Sequence, residues 1–138
     1  MAQILLAIAG AVFLVMGTLH GVLTLRDVRR PRAFTPTDDA VRLAMQGTRL
    51  AFNPRANFWQ AWLGFNLSHS LGAALFGGCL VLLAWSHFSA FATSPLLQAA
   101  AVGVAASYFA VSLRFWFWGP TLGSGLSLVF LLGAIVLA

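Results

Sequence analysis

Two histidines and an asparagine stand out in this chain because so little else within its apolar stretches is polar: His20, Asn66 and His69. An imidazole can donate or accept a hydrogen bond, move a proton or ligate a metal. A carboxamide offers an acceptor and two donors. The neighbours of these groups recur at helical spacing. Phe13, Met16, Gly17, His20, Thr24 and Asp27 share one helix face, and Trp59, Trp62, Asn66, His69, Ser70 and Ala73 share another. The two faces can line one polar pocket between neighbouring helices, formed by His20, Thr24, Trp62, Asn66, His69 and Ser70. Tyr108, whose hydroxyl needs a partner when buried, can reach the same pocket from across the bundle.

Such a pocket suits a lipid-like or other apolar small molecule, such as a lipid, isoprenoid or quinone. The polar groups would hold its head while Phe13 and Met16 contact its tail. Three other readings use the same residues. The histidines and Asn66 can simply tie two helices together by hydrogen bonds. His20 and His69 can supply the two axial ligands of a b-type haem, or bind a metal. His20 and Asp27 can form an acid–base couple, although seven residues separate them by two helical turns, too far for direct contact. No CxxC, HExxH, P-loop, GxGxxG or GxSxG pattern is present, so conventional metallo-, nucleotide- or serine-hydrolase chemistry has no support. Whether the chain is an enzyme stays open.

The elements that must position these groups follow from composition. Of 138 residues, 60% are hydrophobic and 8% charged, where soluble domains are roughly 45–50% apolar and about 25% charged. That excludes an ordinary soluble domain and a disordered chain, and the single cysteine excludes a disulfide scaffold. The expectation is an all-α polytopic membrane protein, one domain of four transmembrane helices over about 2–25, 58–84, 95–113 and 121–138. The first span lacks a positively charged leader before Ile4 and a convincing cleavage site, so it reads as a retained helix rather than a secretory signal. Asn53-Pro54 signals a turn ahead of the second span, and Trp118-Gly119-Pro120 one ahead of the fourth.

Charge sets the expected orientation. The net charge is +5, with no lysine and no glutamate. Seven of the eight arginines and all three aspartates fall between residues 26 and 55. The positive-inside rule makes the loop 26–57 cytoplasmic and, with four spans of an inner membrane, both termini periplasmic. No basic–aromatic interleaving or reader motif points to nucleic acid. Within the loop, Thr37 reads as the N-cap of a short amphipathic helix carrying Val41, Met45, Thr48 and Phe52 on one face, lying at the cytoplasmic interface. Arg114 beside Trp116 and Trp118 fits an interfacial anchor. The linker 85–95 reads as neutral and periplasmic, with His87 facing water, and Cys79 as a small buried hydrophobe.

Small residues mark where helices can approach. Gly17 and Gly21 bracket His20, and Ala61, Gly64, Ser68 and Gly72 form a strip on the second span. Gly119, Gly123 and Ser127 make a small face on the fourth. At about 1.5 Å per residue, His20 matches Trp62 and Asn66 in depth, with His69 about a turn deeper. A direct His20–Asn66 hydrogen bond is the expected contact. The same faces also fit an accessory subunit docking onto a larger membrane complex, or a homo-oligomer.

Gly17-Thr18-Leu19-His20, the basic loop with its methionine-bearing helix, and N-F-W-Q-A-W-L-G-F-N-L-S from Asn57 to Ser68 together resemble an uncharacterised family of small bacterial four-span inner-membrane proteins. The likeness covers mainly residues 10–80. It implies a four-helix inner-membrane fold with His20, Gly64 and Asn66 in the recurrent pattern, and it brings no activity with it.

Overall fold

Helix boundaries in this chain are set by capping chemistry that is easy to trace. A computed structural model describes all 138 residues. Six helices, α1 (Ala2–Arg29), α2 (Asp39–Gly47), α3 (Phe58–Ser86), α4 (Phe88–Thr93), α5 (Pro95–Phe115) and α6 (Trp118–Val136), are joined by one hairpin of β1 (Arg49–Leu50) and β2 (Asn53–Asn57). The fold is all-α apart from that hairpin. Helices α1, α3, α5 and α6 are each long and apolar enough to cross a membrane.

Asn57 starts α3 through a reciprocal box: its Oδ1 accepts from Gln60 N–H at 2.8 Å, while Gln60 Oε1 accepts from Asn57 N–H at 3.3 Å. Ser94 caps α5, with Pro95 in the first turn where a missing N–H costs nothing. Pro120 plays the same part in α6, which therefore begins at Trp118, three residues before the expected turn would have allowed. The linker after α3 is not merely extended. It forms the short helix α4, and Phe91 on that helix is fully buried. Gln98 Nε2 donates to the carbonyls of Phe91 and Ala92 at 3.1 and 3.0 Å, tying the end of α4 to α5.

The loop departs most from expectation. Asp38, not Thr37, caps α2, accepting from Ala40 N–H at 2.8 Å. The helix stops at Gly47, so Thr48 and Phe52 do not extend its face: Thr48 is the C-cap and Phe52 is exposed at the hairpin turn. The backbone turns extended at Thr48, whose N–H still bonds the Ala44 carbonyl, and Asn53-Pro54 favours the return strand.

The chain divides into two units, residues 1–17 with 73–138, and residues 18–72. In the first, Leu6, Ala9, Phe13, Ala73, Leu80, Ala84, Phe91, Ala101, Ala105, Leu131 and Ala134 form the core. Alanine dominates it, so the helices come close. At Gly77 a Cβ would collide with Leu14 N and lie 2.5 Å from Gly10 O, and at Gly10 one would lie 2.7 Å from Gly77 O. Ser127 donates to the Ala9 carbonyl at 2.8 Å, and the Ser112 and Ser124 hydroxyls meet at 3.2 Å. Met16 Sδ fills the space a Cβ on Gly123 would need. Phe13 is fully buried, edge-on to Phe76 and Tyr108 at 4.9 and 5.3 Å, and so presents no surface to a ligand tail. The large side chains Val15, Leu71, Leu75, Leu82, Leu113 and Val129 instead point outward.

Helix α3 departs from expectation at two places. Cys79 is exposed rather than buried, because Gly77 and Leu80 take the inward face of that turn. The strip containing Gly64 and Ser68 is not a packing face: a Cβ at Gly64 meets nothing within 4 Å, and Ser68 is exposed.

Candidate functional site

The unit formed by residues 18–72 holds the polar cluster. His20 and Thr24 come from α1, and Trp62, Asn66, His69 and Ser70 from α3. Asn66 is fully buried. Its Nδ2 donates to the Trp62 carbonyl at 2.8 Å, which turns its Oδ1 toward His20 Nε2 at 3.1 Å. A carboxamide oxygen only accepts, so His20 must carry a proton on Nε2. One hydrogen bond between helices thus also selects the tautomer.

Thr24 and Ser70 are committed to their own helices. Thr24 Oγ1 donates to the His20 carbonyl at 2.9 Å and Ser70 Oγ to the Leu67 carbonyl at 2.8 Å. Ser70 is also the group that Gly21 admits: a Cβ on Gly21 would stand 3.1 Å from its Oγ. The glycine beside His20 is therefore where α3 approaches α1 in this unit. These hydroxyls support the cluster rather than face a ligand. Tyr108 belongs to the other unit, against Phe13.

The imidazoles themselves are half-buried. Their ring centroids are 5.7 Å apart, edge to face at 74°. Each has a phenylalanine beside it. Phe34 lies 4.2 Å from His20, and Phe65 stacks on His69 at 6.1 Å and 16°. The row Phe34, His20, His69, Phe65 is thus continuous, and Phe65 is 56% exposed at its outer end. Phe65 carried a weak sequence signal, lying next to Asn66 and four residues before His69. Phe34 carried none, since it sits in the loop.

Phe34 reaches His20 because Asp27 folds the loop back. Asp27 is 1% exposed, and its carboxylate accepts from the backbone N–H of Arg32, Ala33 and Phe34 at 2.9, 3.0 and 2.6 Å and from Thr35 Oγ1 at 3.3 Å. Trp62 Nε1 then donates to the Phe34 carbonyl at 2.8 Å. Asp27 therefore anchors a strap rather than serving His20 as a catalytic partner, and Trp62 latches the strap to α3.

No group of three or more His, Cys, Asp or Glu side chains gathers closely enough to hold a metal ion. A bis-histidine haem needs a slot between its axial imidazoles wide enough for a porphyrin. His20 and His69 are in edge contact, and His20 Nε2 is engaged by Asn66, so the two helices would have to part to admit one. No known protein family, no curated protein and no solved structure matches this chain.

Loss of the Asn66 carboxamide is expected to loosen α1 from α3 at this point. Asn66→Leu should lower stability by about 1–2 kcal/mol, the upper range for a hydrogen bond between membrane helices. Reversible unfolding in mixed micelles reads the difference; equal stability of Asn66→Leu and wild type would mean that the bond contributes nothing.

Proposed function

We propose that this chain is a small multi-pass membrane protein that holds the polar head of a lipid-like small molecule at the half-buried imidazoles of His20 and His69. The observation that carries the reading is the row of Phe34, His20, His69 and Phe65, in which both imidazoles are only half-buried. Imidazole nitrogens supply directional hydrogen bonds, and the flanking rings supply apolar contact for a flat or amphipathic head. A pair of histidines serving only to hold helices together needs no such aromatic flanks.

Membrane residence is supported by four long apolar helices and by large apolar side chains such as Val15, Leu71, Leu82 and Val129 on their outer faces, around a core built largely of alanine. By the positive-inside rule the arginine-rich loop favours a cytoplasmic side for residues 26–57 and a periplasmic side for both termini, which fits a bacterial inner membrane. Helix α2 buries no residue within the chain, which suits a position on the inner-membrane surface.

The test is mass spectrometry of organic extracts from protein purified in mild detergent. A specific amphipathic species should be enriched over bulk lipid in wild type and lost in His69→Ala, with helical content retained. Wild-type extracts holding only bulk lipid, or a species kept equally by His69→Ala, would overturn the reading. A second reading, an accessory subunit or homo-oligomer, is favoured by Gly64, Gly78 and Gly103, which offer open helix surface to a neighbouring helix. It predicts a stoichiometric partner, or a second copy, in the same preparation.

A further inference from the structure

The strap that covers His20 also forms one wall of a separate cleft. Between residues 31–37 and helix α2 lies a cavity of about 320 Å³ whose walls carry Arg32, Thr37, Asp39 and Arg42. We propose that this cleft binds a phosphate group, carried by a lipid headgroup or free in solution.

Charge and geometry both point that way. Asp39 Oδ1 accepts from Arg42 Nη2 at 2.9 Å and from Arg42 Nε at 3.3 Å, which fixes one edge of the guanidinium and leaves its Nη1 donors for a ligand. That pair is neutral in sum. Arg32, on the opposite wall, has no ion pair, so the cleft keeps one uncompensated cation. Two guanidinium groups facing one cavity match the several oxygens of a phosphate, because each fork donates in a plane that spans two of them. The hydroxyl of Thr37 adds a further donor.

The wall bearing Arg32 is held before any ligand arrives. The Asp27 carboxylate takes the backbone N–H of Arg32 at 2.9 Å and the Thr35 hydroxyl at 3.3 Å, so residues 32–35 pay little ordering entropy on binding. Asp39, 84% exposed at its side chain, keeps Oδ2 available on the rim. That rim oxygen can accept from an amine or hydroxyl adjoining the phosphate, as a headgroup would supply. At about 320 Å³ the cavity is at the small end of ligand sites, the scale of a headgroup rather than a whole lipid. This inference does not depend on the histidine row.

The experiment uses the full chain, purified in maltoside and stripped of phospholipid, and titrated by calorimetry with a short-chain phosphatidylglycerol and separately with inorganic phosphate. Saturable binding of at least one is expected. Arg32→Gln and Arg42→Gln should each weaken it by about tenfold or more, since each removes a charge-assisted bond. Arg55→Gln, in the same basic loop but off the cleft, should change it less than about twofold on the same scale. If Arg32→Gln fails to fold, Arg32→Lys keeps the charge but not the fork and should still weaken binding several-fold. Tight binding of the lipid with inorganic phosphate a poor competitor identifies a headgroup, and equal binding of both identifies free phosphate. Binding of neither, or Arg55→Gln as damaging as Arg32→Gln, would overturn the proposal and leave only a diffuse basic surface.

Discussion

Gly77→Ala is expected to destabilise the protein by about 3 kcal/mol, at or beyond the upper range for overpacking, because the added methyl meets backbone rather than a movable side chain. The new Cβ would collide with Leu14 N and sit 2.5 Å from the Gly10 carbonyl. Neither atom can turn away, so α1 and α3 would have to separate along their closest approach, disturbing Leu6, Ala9, Phe13 and Leu80 nearby. Gly10→Ala should act in the same way, with its Cβ 2.8 Å from Val81 N. Gly78→Ala is the matched control: its Cβ meets nothing within 4 Å, and alanine is the better helix former. Unfolding in mixed micelles should show Gly77→Ala lowering the folded ratio by about 100-fold and Gly78→Ala leaving it unchanged or raised. Equal effects at the two adjacent positions would mean that the close approach is not there.

The second large effect falls on the strap. Asp27→Ala removes the acceptor of three backbone N–H groups and one hydroxyl at a position that is 1% exposed. Bonds to a charged acceptor contribute about 1.5–3 kcal/mol each, and they are not additive, so a total near 3 kcal/mol is expected for the local fold. That is roughly a 100-fold rise in opening of residues 30–35. Hydrogen exchange at the Arg32, Ala33 and Phe34 amides should therefore quicken by about that factor, while amides of α5 stay as they were. Asp27→Asn, with one acceptor oxygen left, should fall between. Phe34 would then depend on the 2.8 Å bond from Trp62 Nε1 to its carbonyl, and its contact with His20 should loosen. Unchanged exchange in Asp27→Ala would show that Trp62 and local packing hold the strap without the carboxylate.

Part of the site could be read from spacing. His20 and Asn66 were matched by counting helical rise from the ends of two apolar stretches, and their side chains meet at 3.1 Å. His69 falls near them because it lies three residues beyond Asn66 on one helix. Thr24 and Ser70 share the same faces yet turn their hydroxyls to carbonyls of their own helices. Spacing places a side chain on a face, but a short hydroxyl chooses between a ligand and its own backbone according to what stands opposite. Phe34 and the anchoring role of Asp27 could not be read at all, because the strap has no period. Its shape comes from hydrogen bonds that one carboxylate makes five to eight residues ahead. The hairpin was hidden for a related reason, as Met45 and Thr48 continue a helical pattern across Gly47, where the helix ends.

Composition and the order of residues alone determined that this chain is helical, that four stretches are long and apolar enough to cross a membrane, and that its arginines gather in one loop. Those properties depend on local hydrophobicity and backbone preference, which each segment carries within itself. The tertiary structure decided which glycines are contacts and which are surface. Gly77 and Gly78 are adjacent and chemically identical, and Gly64 sits in a strip of small residues that looks made for packing. Only Gly77 touches another helix among these three. A side chain's absence is silent in sequence, and it acquires a meaning only when a second backbone arrives close enough to need the space.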